Sequence, residues 1–141
     1  MANKLNELQG RLTYQVGRLP ATGAGTNDEM YWRVPVEFDY DVDIIRILVT
    51  PLTGHTGANT NFMSIAVQDG GALGTGTTAI VTQRDHTLAV DLTGGTTVTL
   101  TPTTPYSVAA GRIVRFRVIH SGTGNASPVM TFQVVVGSDQ D

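Results

Sequence analysis

Hydrophobic and polar residues alternate with period two along much of this chain, most clearly over residues 112–136. In 112–120, Val114, Phe116 and Val118 share one side, and Arg115 and Arg117 the other. In 129–136, Met130, Phe132, Val134 and Val136 share a side opposite Thr131 and Gln133. Such alternation marks a strand buried on one face and wet on the other. With the polar loop 121–128 between the two runs, the pattern predicts one long β-hairpin.

The pattern recurs upstream. Met30, Trp32, Val34, Val36 and Phe38 alternate with Tyr31, Arg33, Pro35 and Glu37. Pro35 has no N–H to donate, which places this strand at an edge or gives it a bulge. A second run puts Ile45, Ile47 and Val49 on one face, and a third does so with Met63, Ile65 and Val67. Asp69-Gly70-Gly71 and Gly94-Gly95 are turn signals, with shorter strands predicted at 78–82, 87–92 and 96–100. Pro102 and Pro105 enforce an extended connection to the final pair. The sum is an all-β chain of about eight strands, the count of a jelly-roll-like antiparallel β-sandwich. An immunoglobulin-like sandwich is the rival. Trp32 falls in the first strand and no cysteine pair brackets it, so the jelly roll is preferred.

Residues 1–27 follow a different pattern. Leu5, Leu8 and Leu12 have helical spacing, but Gly10, Gly17 and Pro20 limit any helix to a turn or two. Residues 21–27 have the composition of a flexible linker. The chain therefore divides into an extended N-terminal arm, 1–27, and a sandwich domain, 28–141. Apolar residues outside a sandwich imply docking, so Leu5, Leu8, Arg11, Leu12, Tyr14, Val16 and Arg18 are candidate partner contacts.

Composition narrows the function classes. The formal net charge is −3, with a single lysine and charged residues at 15%. Through Pro20 the arm carries Lys4, Arg11 and Arg18 against Glu7, about +2, which leaves about −5 for the rest. Nucleic-acid backbones select clustered Lys and Arg, and base stacking selects aromatics; the arginines are scattered apart from Arg112, Arg115 and Arg117, and aromatics are few at 6%, so no nucleic-acid partner is expected. Cysteine is absent, which removes disulfides and thiolate metal sites. The first residues lack a signal-peptide core, and no apolar run approaches the ~20 residues of a membrane helix. A soluble, non-exported protein without a membrane partner is the expectation.

Candidate chemistry is thin. Glu37, Asp39, Asp41 and Asp43 recur at alternate positions and offer oxygen ligands to a hard cation, but lack the glycine and glutamate of a calcium-binding helix-loop-helix. A solvated acidic turn explains them, and no metal is expected. His55, His86 and His120 lie far apart without metal-ligand spacing. Asp85 and His86 form an adjacent acid–base pair inside a turn predicted at 83–86. No nucleophile–base–orienter set is evident, so neither enzyme activity nor a cofactor is expected. Arg115 and Arg117, on the outer face, are candidates for cross-strand ion pairs or a subunit contact. Tyr31 and Tyr106 fit rings buried at a sheet edge with exposed hydroxyls.

The run Pro105-Tyr106-Ser107-Val108-Ala109-Ala110-Gly111, continuing through Val118, resembles the lead-in to the penultimate strand of small jelly-roll modules of tailed-bacteriophage virions. Those modules include capsid decoration (cement) proteins and fibre or spike domains. Val34-Pro35-Val36 and Asp43-Ile44-Ile45, leading to Thr50, resemble their first hairpin, and the likeness covers about residues 30–136. Arg112 stands where such modules often carry an acid, so no role of that acid is carried over. The resemblance implies a homotrimer on the exterior of a capsid, assembled in the host cytoplasm and gripping the major capsid protein through extended termini. A carbohydrate- or receptor-binding fibre module, using loops near 55–61 or Tyr106, is the alternative.

Overall fold

The computed structural model describes residues 11–37, 41–123 and 125–137. Ten strands are present among them: β1 (Leu12–Leu19), β2 (Asp28–Arg33), β3 (Val42–Pro51), β4 (Met63–Gly71), β5 (Thr78–Ala79), β6 (Arg84–His86), β7 (Val98–Leu100), β8 (Tyr106–Val108), β9 (Ile113–His120) and β10 (Met130–Gly137). They form two antiparallel sheets. In the first the order is β1-β10-β3, with β7 and β8 pairing the two halves of β3. In the second it is β2-β9-β4, with β5 and β6 pairing the two halves of β4. Counting each short pair as one interrupted strand reduces ten to eight positions, wound between the sheets as a jelly roll.

Away from two bulges the alternation names the inward faces correctly, but it does not name the partners. β9 and β10 are not a hairpin: β9 lies between β2 and β4, and β10 between β1 and β3. Alternation fixes which side of a strand is buried, whereas pairing depends on where the connection carries the chain, and residues 121–129 cross from one sheet to the other. Phe116 and Phe132 therefore meet across the sandwich, their ring centroids 5.3 Å apart in an edge-on arrangement. Such a pair contributes about 1 kcal/mol beyond the area it buries. Around them Ile44, Ile47, Met63, Ile65, Val114, Val118, Met130 and Val134 fill the space between the sheets.

Two bulges explain where the predicted faces slip. In β3 the register skips Ile45, because Val136 pairs Ile44 while Val135 pairs Arg46. The inward set is thus Val42, Ile44, Ile47 and Val49, with Ile44 in place of the predicted Ile45. In β1 the skipped residue is Val16, between Gln15 and Gly17. Leu12 and Tyr14 share a face before it, and Gly17 and Leu19 after it.

That strand corrects the arm. Residues 12–19 are not a detached extension but an edge strand paired to β10 from Leu12↔Val136 to Leu19↔Met130. Its apolar residues dock on this chain's own sandwich: Leu19 is in the core, Tyr14 and Val16 pack against it, and the Tyr14 ring lies 5.5 Å from that of Trp32. The predicted linker is tied down too, since the Thr22 and Ser127 hydroxyls are 2.6 Å apart. Leu5 and Leu8 lie outside the described residues.

β2 is an edge strand, as Pro35 required, and ends at Arg33. Two other segments exchange roles. Residues 83–86, predicted as a turn, include β6, while 87–90, predicted as strand, form a turn with Ala89 at φ 67°.

Candidate functional site

The topology gathers polar chemistry in two places. The first is the end of the sandwich where residues 20–27, 52–62, 87–97 and 121–129 connect the sheets. Met63 pairs His86 on one side and His120 on the other. Residues directly opposite share a face, so both imidazoles point inward with Met63. His55 joins them from the 52–62 loop, anchored by a reciprocal pair of backbone bonds with Leu92 of 3.0 and 2.8 Å. All three histidines are buried. The His55 and His86 rings stand edge-on, 5.9 Å apart.

Their hydrogen bonds fix the tautomers. His55 Nδ1 lies 3.2 Å from the Ala126 carbonyl oxygen, and His86 Nδ1 lies 2.9 Å from that of Val90. A carbonyl only accepts, so each Nδ1 carries the hydrogen and each Nε2 is a bare lone pair. Both Nε2 atoms are buried without a hydrogen-bond partner. Burial pushes both imidazoles below the ordinary histidine value of 6.5, with the carbonyl bonds opposing only in part. Both rings are thus neutral near pH 7.

The second place is the outer face of β2, β9 and β4, where charges are paired. Arg115 lies on the side that alternation marks as wet, yet its side chain is only 10% exposed. Its guanidinium donates to Glu29 at 2.6 Å and to the Gly76 carbonyl at 2.9 Å. The loop between β4 and β5 reaches over Arg115 because Gly76 has no side chain; a Cβ there would strike the Asp69 carbonyl. Arg117 lies 3.3 Å from the same Glu29 carboxylate, and the Tyr31 hydroxyl donates to it at 2.6 Å. The Tyr31 bond, then the Arg115 bond, hold the Glu29 carboxyl below its ordinary value. Asp69, opposite Val114 and so on the inward side of β4 at the end away from the histidines, has a similar cage in Gly71 N–H at 2.8 Å, the Tyr106 hydroxyl at 3.2 Å and Arg112 at 3.3 Å.

These placements sort the predicted residues. Leu12, Tyr14, Val16 and Arg18 lie in β1, with Arg11 just before it. Arg115 and Arg117 both pair with Glu29 within the chain; the Arg115 side chain is nearly covered, and that of Arg117 stays partly exposed. Asp85 and His86 do not pair: Asp85 accepts from the Ser64 hydroxyl at 2.7 Å while His86 bonds Val90. Neighbours in a strand face opposite sides, which separates them. Of the positions proposed for glycans, His55 is buried and Tyr106 spends its hydroxyl on Asp69, whereas Thr56, Asn59, Thr60 and Asn61 are exposed. Asp39 lies outside the described residues, and among these no three His, Asp or Glu side chains are placed to hold a metal ion. No helix among them is long and apolar enough to cross a membrane.

Sequence reasoning missed the histidine cluster, and one signal for it existed. His120 continues the inward series Val114, Phe116 and Val118. The surface beside the cluster is an open cleft of about 420 Å³ lined by Ala21, Leu52, Gly54, Ala126, Pro128 and Val129.

No family model and no curated protein matches this chain. Among solved structures it is similar to a chain from the "Structure of infectious bursal disease virus Gx strain" at 13% identity and a TM-score of 0.39. The match covers 90% of this chain and 32% of that one, so this chain spans about a third of its neighbour's length. A likeness that faint carries no argument about function, and the fold stands on its own strand order.

Proposed function

We propose that this chain is a non-enzymatic structural protein of a virion, one that seats on the exterior of an assembled capsid and stabilises it as a decoration or cement protein. The observation that supports this reading best is the solid interior. Jelly rolls serve as capsid, lectin and cupin domains alike, and here Phe116, Phe132 and their apolar neighbours fill the space where a small-molecule module would keep a pocket. The charges on the outer face are already answered within the chain, which suits a rigid plug more than a reactive surface. A partner that binds only the assembled shell stabilises it by mass action, by about 2.7 kcal/mol per site at a hundredfold excess over Kd.

Residues 1–10, with Leu5 and Leu8, are the proposed grip on the major capsid protein, and the proposed assembly is a homotrimer. Because Leu12–Leu19 is a strand, the truncation that tests the grip stops at residue 10. Capsids lacking the protein are mixed with the full chain or with residues 11–141, sedimented, and imaged by electron microscopy. Binding by the full chain as trimers, lost on truncation at an unchanged melting temperature, is the expected result. Undiminished binding by the truncated chain rejects the grip, and absence of binding by either chain rejects the capsid role.

A further inference from the structure

We propose that the histidine-bearing end of the sandwich is a proton-operated latch: neutral His55 and His86 hold the three connecting loops closed, and protonation at their Nε2 atoms releases them. The loops concerned are 52–62, 87–97 and 125–129. This inference is independent of the capsid reading.

The geometry makes the two states incompatible. In the closed state each ring spends its single N–H on a loop carbonyl, Ala126 for His55 and Val90 for His86. The buried Nε2 lone pairs cost little while bare. A proton there creates a cationic N–H with no acceptor in reach, and a buried unpaired charge is among the most destabilising features a fold can hold. Two such cations 5.9 Å apart would also repel. His120 adds a third buried ring with neither nitrogen hydrogen-bonded.

The other charged groups do not cancel this. Around His55, His120 on β9 opposes a positive charge, and among the charged groups only Asp91 in the 87–97 loop favours it, more weakly than burial disfavours it. The Asp91 carboxylate is already engaged by the Gly57 N–H at 2.7 Å. Around His86, Arg84 opposes and Asp85 favours the charge, and Asp85 is turned to Ser64 on the other face. The elements facing the rings from β4 and from residues 125–129 bring Met63 and Ala126, which do not titrate.

The latch has something to release. His55 pairs by backbone with Leu92, Ala58 N–H donates to the His86 carbonyl at 3.2 Å, and Ser127 N–H donates to Thr22 at 3.1 Å. Opening at the two rings therefore frees loops from three parts of the chain together, around the cleft beside Leu52 and Pro128.

The sign follows from linkage. The folded values of both histidines lie below 6.5, so the open state binds more protons below that pH, and the closed state is fully favoured above it and weakens as pH falls towards the lowered values. Nitrogen-15 NMR and amide-exchange protection factors on the full chain test this. At pH 7.5 both rings are expected as neutral Nδ1–H tautomers. Between pH 7 and pH 5 protection in the three loops is expected to fall by up to about tenfold per pH unit for each histidine, while central amides of β9 and β10 hold theirs. His55→Asn and His86→Asn keep an N–H for the carbonyl but cannot take the proton, so loop protection becomes independent of pH. Loops equally protected at pH 5 and 7.5, or Nε2–H tautomers, overturn the latch. Should the Asn variants not fold, the tautomer and exchange results on the natural chain decide alone.

Discussion

Polar groups are buried both on the outer face of β2, β9 and β4 and at the loop end, but by different means. On the outer face Glu29 is shared by Arg115, Arg117 and Tyr31, and each charge brings its counter-charge. At the loop end His55 and His86 are buried neutral, each with one nitrogen bonded and one bare. A paired charge is robust until its carboxylate is protonated, whereas a neutral imidazole is vulnerable one step sooner, at mild acidity. The two regions therefore divide the acid response of one fold into two windows.

The comparison can be broken by substitution. Gly57→Ala is expected to have the largest effect, because its Cβ would strike the Thr87 carbonyl, where two of the loops stack backbone on backbone. Overpacking against rigid backbone costs about 3 kcal/mol, and denaturant unfolding reads it. Arg115→Met on the outer face comes next: it keeps the stem but loses the bonds to Glu29 and Gly76, for a loss of about 2 kcal/mol. If Gly57→Ala proves the milder of the two, the loop end is looser than its packing implies.

Acid titration separates the windows directly. The Glu29 carboxyl is held below its ordinary 4.5, so its contribution is present above that pH and is lost as pH falls through the lowered value. Melting temperature against pH should show a first decline starting below about 6.5, due to the imidazoles, and a second below about 4.5. Glu29→Gln should flatten the second and leave the first in place. The smallest effect sharpens the loop end alone. Ala89 sits at φ 67°, where a Cβ is strained, and Ala89→Gly should stabilise the chain by about 1 kcal/mol without moving the histidine window.

The sequence showed the class of fold because period-two alternation survives wherever one face is buried. It concealed β1 because the skipped Val16 moves the inward phase from Leu12 and Tyr14 to Gly17 and Leu19, and the helical spacing of Leu5, Leu8 and Leu12 suggested an arm outside the sandwich. It concealed the burial of Arg115 because alternation cannot foresee a loop folding over the outer face. The candidate site was less legible than the fold. Residues 55, 86 and 120 meet only once two sheets are wound together, and adjacency in sequence suggested an Asp85–His86 pair that the strand itself pulls apart.

The position of β10 also bears on how this protein is made. It is the last described strand, yet it occupies the middle of its sheet, between β1 and β3. Until it is made, β1 and β3 have no shared neighbour, and the apolar face of the opposite sheet lacks the cover of Met130, Phe132 and Val134. Strand pairings this distant along the chain are slow to form and leave sticky surfaces bare meanwhile. The sandwich therefore cannot close before β10 is made, and a chain cut short before Met130 should aggregate rather than fold in part.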